Sequence, residues 1–240
     1  MALSLGDNNG NGRMDHGDIT ALNGTTALTV AFWSLPIIAQ SPGGLKKASS
    51  FGLLTNLAFL PTDGTASGYS VGDGNVNTTQ LWWLRTGDGV VDSTRWNHMV
   101  VVYDGSADVT SRITVYKDLV SFPLTGLIIT DSQGTTAATT APTSLPDTSP
   151  NPLLVNSQNV YGLKAHLRLW LAALTPAELA LERERYWAER RANLIMDCPY
   201  DDQTAGRDYS GNGNHGTFVD GPPLQVGGPI GYGGKVLVTG

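Results

Sequence analysis

The stretch that decides the fold is "RWNHMVVVYDG", residues 95–105, which is followed by "RITVYKD", residues 112–118. Both runs are rich in β-branched and aromatic residues, and a polar segment with aspartate and serine separates them, which is typical of two strands joined by a turn. In the second run Ile113 and Val115 alternate with a threonine and a tyrosine, so one face of that strand is predicted to be buried. The two runs together predict an antiparallel strand pair.

Further strand-like runs lie on both sides of this pair. They are "ALTVAFWSLPII" (27–38), "QLWWLR" (80–85) and "AHLRLWLA" (165–172), and turn clusters of Gly, Asn, Asp and Ser separate them. The chain has 240 residues, of which 15% are charged and 29 are glycine, and this suits one large β domain. The sequence therefore predicts an all-β fold, an antiparallel β-sandwich that spans residues 1–240 as a single domain.

One short α-helix is predicted, in the C-terminal half of the chain. Thr175 is a suitable N-cap, Pro176 suits the first helical position, and Glu178 completes a capping box. A leucine on each side of this cap can form a hydrophobic staple. We expect the helix to run from Pro176 to about Arg191, with its charged residues on a solvated face.

Composition and charge exclude several classes of partner. The net charge is -6 and no basic cluster with interleaved aromatics occurs, which argues against nucleic acid. No apolar run is long enough to span a bilayer and no signal peptide is visible, so we expect no membrane partner and synthesis in a cytoplasm. Cys198 is the one cysteine, which excludes an intramolecular disulfide, and we interpret it as a small core residue.

Catalytic patterns are missing, and we expect no enzyme. All four glutamates lie on the predicted helix, so no strand carries the paired glutamates that a sandwich-fold glycosidase uses across its cleft. The four histidines form no metal-binding or triad spacing, and no nucleophile elbow is present. They are His16, His98, His166 and His215. No cofactor is predicted.

A possible calcium motif occurs near the N-terminus, in "LGDNNGNGRMDHGDI", residues 5–19. Its oxygen-bearing residues are Asp7, Asn9, Asn11, Asp15 and Asp18, with glycine at the sixth position of the loop. An EF-hand needs a helix on each side and a bidentate Glu at the twelfth position, and this stretch offers neither. We therefore interpret it as a turn between two short strands, and any Ca²⁺ as a loop-bound ion.

The segment "GTTAATTAPTSLPDTSPNP", residues 134–152, is of low complexity. A run of Thr, Ala, Ser and Pro cannot bury enough apolar surface to fold by itself. We expect a loop, or an arm that becomes ordered against a partner.

Several of these motifs together resemble one known family of domains. "LTVAFW" (28–33), the two runs quoted first, and "VYGLKAHLRLWLAALTPAELALE" (160–182) resemble successive signatures of laminin G-like domains in the concanavalin A-like lectin/glucanase superfamily. The resemblance extends from Gly6 to about Glu184, and it implies a concanavalin A-like jelly roll.

One further family signature is displaced. "LIMDCPYDDQTAGRDYSGNGNHGTFVDGPP", residues 194–223, resembles the strand and turn that open the family's domain, yet here it stands at the end. Three explanations remain open: circular permutation of the domain, exchange of residues 194–240 between subunits, or the start of a second domain. A second domain of about 45 residues is too small to be stable alone, which favours completion of the sandwich in cis or in trans.

The resemblance also implies carbohydrate binding as one function. Trp82 and Trp83 are adjacent on a predicted strand, so one ring must face outward, and Arg85 lies two residues further on. With Asp73 and Asn75 in a nearby polar loop, they form the candidate glycan site. A lectin-like adhesion module is thus one of two functions that we predict.

The other function, which the sequence favours, is structural. A disulfide-free laminin G-like domain with a Thr/Pro-rich arm resembles modules displayed on the capsids or tail appendages of tailed bacteriophages. This resemblance implies a non-enzymatic virion surface protein, such as a capsid decoration or tail-appendage module. It would form a homo-oligomer and bind the major capsid protein or another virion protein through edge strands and arms.

Overall fold

The computed structural model describes the chain in segments. They are residues 2–4, 13–36, 45–47, 60–62, 66–68, 70–74, 81–86, 94–108, 111–122, 124–131, 134–137, 143–145, 147, 149–155, 162–200, 206–219, 224–226 and 228–229. No α-helix in these segments is long and apolar enough to cross a membrane.

The strands are β1 (Ala2–Ser4), β2 (Arg13–Asp15), β3 (Ala27–Pro36), β4 (Leu45–Lys47), β5 (Leu60–Thr62), β6 (Ala66–Gly68), β7 (Ser70–Gly74), β8 (Leu81–Thr86), β9 (Asn97–Asp104), β10 (Ile113–Lys117), β11 (Val120–Phe122), β12 (Leu124–Asp131), β13 (Gly134–Ala137), β14 (Leu153–Val155), β15 (Gly162–Trp170), β16 (Leu194–Cys198), β17 (Thr217–Val219) and β18 (Leu224–Val226). One α-helix, α1 (Pro176–Arg183), and one 3₁₀ turn (Thr20–Leu22) complete the described elements.

The strands form an antiparallel sandwich. The larger layer is an eight-stranded sheet in the order β11-β10-β9-β3-β15-β1-β18, with β16 also paired to β15. A four-stranded sheet, β17-β2-β14-β4, packs against it, and a second four-stranded sheet has the order β13-β12-β8-β7. Strands β5 and β6 form a hairpin. The predicted all-β fold class is confirmed, and so is the single helix for the part of the chain described.

The inner face of the eight-stranded sheet, which faces the β17-β2-β14-β4 sheet, carries the main core. Phe32, Val101 and Leu169 come from the centre of the large sheet, and Met14 and Leu153 reach them from the opposite layer. All five side chains are at most 3% exposed. Burial of these apolar groups is the main force that holds the two layers together.

The outer face of the same sheet is also covered. Val100 and Trp170 on this face form a second cluster with Leu174 and with Leu179 of α1. Strand β9 is therefore buried on both sides, up to its last residue. This explains why its sequence is a continuous apolar run and not an alternation.

Helix α1 begins as predicted and ends earlier. Thr175 and Glu178 form the capping box, in which the Thr175 backbone N–H donates to Glu178 Oε2 at 2.8 Å. The helix ends at Arg183, eight residues before the predicted Arg191, so that boundary was wrong. The reason is tertiary, because a buried arginine of β15 binds backbone carbonyls after this point.

The displaced C-terminal signature pairs with the rest of the same chain. Strand β16 pairs with β15, β17 with β2, and β18 with β1. All three pairings lie within one chain, and the choice between permutation and exchange between subunits stays a prediction.

The low-complexity segment is described in part, and those parts contribute to the fold. Strand β13 pairs with β12. Leu145 is 4% exposed in the main core, and its backbone N–H donates to the Thr25 carbonyl at 2.8 Å.

Candidate functional site

A buried ionic network underlies the candidate site. Arg168 of β15 is 2% exposed, and its Nε donates to Asp197 Oδ1 at 3.0 Å while Nη1 donates to Glu182 Oε2 at 3.1 Å. Its other contacts are the backbone carbonyls of Glu182, Arg185 and Tyr186, at 2.8, 2.7 and 2.6 Å. Five acceptors thus surround the five N–H donors of the guanidinium, which compensates for the loss of water on burial.

The same network fixes the segment after α1. Asp197 Oδ2 accepts from the backbone N–H of Ala188 at 3.0 Å, and Glu182 Oε1 accepts from that of Arg190 at 2.6 Å. The indole N–H of Trp170 donates to the Arg190 carbonyl at 2.8 Å. Trp187 lies between these anchored residues, so its backbone position is set by buried hydrogen bonds and not by helix propensity.

A turn centred on Asp208 supplies the second half of the site. Asp208 is 5% exposed, and its Oδ1 accepts from the backbone N–H groups of Asp197 at 2.9 Å and Ser210 at 2.8 Å. Its Oδ2 accepts from Ser210 Oγ at 2.8 Å and from the Asn214 N–H at 3.0 Å. Four donors therefore satisfy a carboxylate that would be costly to bury alone.

The rest of this turn is tied to β16. The side-chain amides of Asn212 and Asn214 donate to the first two backbone carbonyls of β16 at 2.9 and 2.7 Å. Gly211 and Gly213 have φ values of 97° and 76°, which L side chains rarely adopt. The turn is thus held rigidly against the strand that also carries Asp197.

Trp187 and Tyr209 meet where these two anchored segments approach each other. Their ring centroids are 4.7 Å apart at an interplanar angle of 62°, an edge-to-face arrangement. The Arg207 guanidinium carbon lies over the Tyr209 ring, 5.1 Å from its centroid, and Arg191 Nη1 donates to the Tyr209 carbonyl at 3.1 Å. The two rings are half-buried and both arginines are exposed. We call Trp187, Tyr209, Arg207 and Arg191 the aromatic edge.

The aromatic edge is supported from below by buried rings. Tyr186 contacts Trp187 with centroids 4.7 Å apart, and His166 contacts Tyr186 at 5.1 Å, both edge to face. His166 has a φ of 50° and lies in a bulge of β15 against β3. Because Trp187 is packed on its inner side, its side chain would lose little conformational entropy when a ligand stacks on it.

Three of the described histidines, His16, His98 and His166, are buried, whereas His215 is exposed. Burial lowers the pKa of His16 to about 4 and that of His98 to about 3, and it holds the pKa of His166 well below the usual value. These imidazoles are therefore neutral near pH 7. His16 contacts the Asn214 carbonyl and the Tyr200 hydroxyl at 2.9 and 3.0 Å.

Several carboxylates in the described segments are engaged in structural contacts. Asp104 bonds to Ser106, Asp118 to Arg95 and Arg183, and Glu178 to Thr175 and Arg190. No group of three His, Cys, Asp or Glu side chains in these segments is arranged to hold a metal ion.

The predicted glycan residues lie largely on β7 and β8. The register pairs Asp73 with Trp82, and Gly72 with Trp83. Asn75 lies outside the described residues. The structure thus brings Asp73 and Trp82 together as neighbours across two adjacent strands.

Two of the five predicted calcium residues, Asp15 and Asp18, lie in the described segments. Asp7, Asn9 and Asn11 lie outside the described residues. Asp15 Oδ1 accepts from the Gly17 N–H at 2.8 Å.

Asp18 has two partners from other parts of the chain. Its Oδ1 accepts from Lys47 Nζ at 2.7 Å and its Oδ2 from Ser149 Oγ at 2.9 Å. The ammonium group beside it lowers the pKa of Asp18. A calcium ion would have to displace this ammonium group from Asp18, and the loop-bound calcium ion stays a prediction.

The aromatic edge was not identified as a site from the sequence. The sequence predicts a helix that includes Trp187, and it marks Tyr209 only as part of the displaced family signature. The available signal was the short connection between β16 and the Asp208 turn, which favours folding of the turn back on the strand.

Comparison with known proteins supports the fold. No protein-family model matches this sequence, and no curated protein matches it either. Among solved structures, a candidate carbohydrate-binding protein from Bacteroides ovatus superposes with a TM-score of 0.62 at 11% identity. The match covers 96% of this chain and 61% of that one, so this chain spans about three fifths of its neighbour's length. At this identity the likeness shows a shared β-sandwich fold alone.

Two weaker likenesses involve a pentraxin and a bacteriophage tailspike. A heptameric pentraxin from Limulus polyphemus gives a TM-score of 0.45 at 11% identity, over 75% of this chain and 79% of that one. Tailspike protein 2 of an Escherichia coli O157:H7 bacteriophage gives 0.48 at 11% identity, over 83% and 26%. Both are too distant to carry an argument about this protein.

Proposed function

We propose that this protein is a non-catalytic, lectin-like carbohydrate-binding module, and that the aromatic edge is its contact surface. The observation that carries the proposal is the pairing of Trp187 with Tyr209 beside two exposed arginines. Sugar rings present C–H groups on one side and hydroxyls around the rim, so they suit an indole with nearby hydrogen-bond donors. The fold shared with a candidate carbohydrate-binding protein is consistent with this class.

Rigidity of the site supports the same proposal. The backbone around Trp187 is held by Asp197 and Glu182, and Tyr209 follows the carboxylate-centred turn of Asp208. The Tyr209 N–H also donates to the Asp197 carbonyl at 2.8 Å. A preorganised surface binds a flexible oligosaccharide at lower entropic cost than a mobile one.

The engagement of the buried acidic groups favours binding over hydrolysis. Glu182, Asp197 and Asp208 are buried and bound to donors of the fold, and a glycosidase needs two carboxyl groups facing one scissile bond. The low pKa of His98 leaves it a poor general base near pH 7, because burial disfavours its charged form. We therefore propose that the chain is not an enzyme.

Strand β8, which carries Trp82, Trp83 and Arg85, is the second candidate contact. In the register Trp83 pairs with Gly72 of β7 and Ile128 of β12, whereas Trp82 pairs with Asp73 and Ile129. We choose Trp83 for the test, because its partner on β7 is a glycine and that of Trp82 is an aspartate.

A glycan array probed with the purified chain tests the proposal. We expect retention of at least one oligosaccharide, and a loss of about tenfold or more in affinity for Trp187→Ala, as for an aromatic hot spot. Trp83→Ala tests the second surface. Leu181→Ala, an exposed apolar residue on α1, is the control and should bind normally. Wild-type protein that binds no glycan on the array would contradict the proposal.

We propose a bacteriophage virion as the setting, on the sequence resemblance to laminin G-like virion modules. A carbohydrate-binding module displayed on a capsid or tail would contact glycans of the host surface, as a homo-oligomer bound to another virion protein. Labelling of intact virions with an antibody against this chain is the direct test. Absence of the chain from purified virions would contradict the setting and leave the binding function intact.

A further inference from the structure

We infer that the saccharide bound at the aromatic edge carries a carboxylate, as uronic acids do. The inference rests on the proposed carbohydrate-binding function and names the ligand class of that site. It comes from the two exposed guanidinium groups that flank Tyr209, those of Arg207 and Arg191.

Arg207 is oriented by the ring beneath it. Its guanidinium carbon lies over the Tyr209 ring, 5.1 Å from the centroid, which is a cation–π contact. A guanidinium has five N–H donors, and such a contact leaves donors available for a ligand. In the described segments no carboxylate pairs with Arg207.

Arg191 adds a second positive charge beside Tyr209. It donates to the Tyr209 carbonyl at 3.1 Å, and it forms a long ion pair of 4.0 Å with Asp197 Oδ2, an oxygen that also accepts from Ala188. Its side chain is 53% exposed, so most of its charge remains solvated and available. Two guanidinium groups therefore face solvent beside one half-buried indole.

The carboxylates nearest in the fold do not neutralise this surface. Asp208 accepts from three donors of its own turn and from the Asp197 N–H, and the Asp197 side chain is fully buried against Arg168. Glu189 pairs with Arg185, four residues earlier, and both of these side chains are more than half exposed. A planar carboxylate can accept two parallel bonds from one guanidinium, which a neutral hydroxyl cannot do. The geometry thus favours an acidic sugar over a neutral one.

The test compares uronic-acid oligosaccharides with their carboxyl-reduced counterparts, which have the same linkages and no charge. Binding to the full chain is measured by calorimetry at two salt concentrations. We expect the acidic form to bind about tenfold more tightly, the range expected of a charge-assisted bond, with a preference that weakens as salt rises. The variants are Arg207→Gln, Arg207→Lys and, as the matched control, Arg185→Gln. Near-UV circular dichroism checks that each variant folds.

Arg207→Gln should remove most of the preference for the acidic form, because it should weaken binding of the acidic form much more than binding of the reduced form. Arg207→Lys should keep only part of the preference, because a lysine cannot form the planar fork. Arg185→Gln should behave as wild type. Equal binding of both forms by the wild type, together with loss of both in Trp187→Ala, would overturn the inference and keep the proposed function. No binding of either form would overturn both.

Discussion

On β15 the neighbouring residues Arg168 and Leu169 point to opposite faces of the eight-stranded sheet. Leu169 is fully buried in the apolar core between the sheets, where burial of hydrocarbon is the stabilising force. Arg168 is equally inaccessible, yet its surroundings are carboxylates and backbone carbonyls. The inner face therefore joins two layers, and the outer face fixes an irregular segment that no periodic pattern could position.

This difference has a consequence for function. Apolar packing is non-directional, so the inner core tolerates changes of shape that conserve volume. Hydrogen bonds to a guanidinium are directional, and they set where Trp187 lies relative to Tyr209. The outer face thus determines the geometry of the aromatic edge, whereas the inner face supplies stability.

The largest expected effect comes from Arg168→Met. The methionine fills part of the space but leaves Glu182 and Asp197 as buried carboxylates without their cation. Breaking such a pair costs about 3–5 kcal/mol of unfolding free energy, measured by urea denaturation. A loss below about 1 kcal/mol would mean that solvent reaches this network. The exposed control Arg185→Met should change stability by less than about 0.5 kcal/mol.

Leu169→Ala tests the inner face at the adjacent position. We expect a loss of about 2–5 kcal/mol, because a buried Leu→Ala substitution removes packing and leaves a cavity. The informative difference is at the aromatic edge. The folded fraction of Leu169→Ala should retain wild-type glycan affinity, whereas folded Arg168→Met should not. Equal losses of affinity in the two variants would contradict the inference that only the outer face determines the geometry of the aromatic edge.

Acid should weaken the folded state through its buried histidines. The folded pKa of His98 on the outer face is about 3 and that of His16 about 4, both lowered by burial, against 6.5 when unfolded. Between these values the unfolded chain binds more protons, so stability is fully present above pH 6.5 and falls on acidification. The slope is about 1.4 kcal/mol per pH unit for each histidine.

Unfolding free energies measured from pH 5 to 8 check this prediction. His98→Gln and His16→Gln should each reduce the slope below pH 6.5 by about 1.4 kcal/mol per unit. Above pH 7 the variants and the wild type should have parallel profiles. An unchanged slope in His98→Gln would mean that its ring is hydrated in the folded protein.

The sequence was informative where the contacts are local. Thr175 and Glu178 bond to each other across three residues, so the start of α1 could be read directly from the chain. The alternation of Ile113 and Val115 likewise gave the buried face of β10. In both cases the partner lies close in sequence, or the pattern alone defines the buried side.

The rest depended on partners distant in sequence. The end of α1 is set by Arg168, which lies 14 residues before Glu182, and nothing in the charged run after the helix indicates this. Trp187 and Tyr209 meet only because Asp197 anchors both of their segments. Directional tertiary contacts, unlike periodicity, leave no repeating trace in a single sequence.

Thr175→Ala gives the smallest expected effect on unfolding free energy. It tests whether the local cap of α1 or the distant Arg168 controls the position of the segment that carries Trp187. Loss of the N-cap should cost about 1 kcal/mol, because the Glu178 N–H loses its side-chain acceptor at an exposed helix start. Thr175→Ser should restore most of that loss. Glycan affinity should stay at the wild-type value in both variants, because Arg168, and not the cap, holds the segment that carries Trp187. A weaker glycan affinity in Thr175→Ala would show that the helix start also controls the aromatic edge.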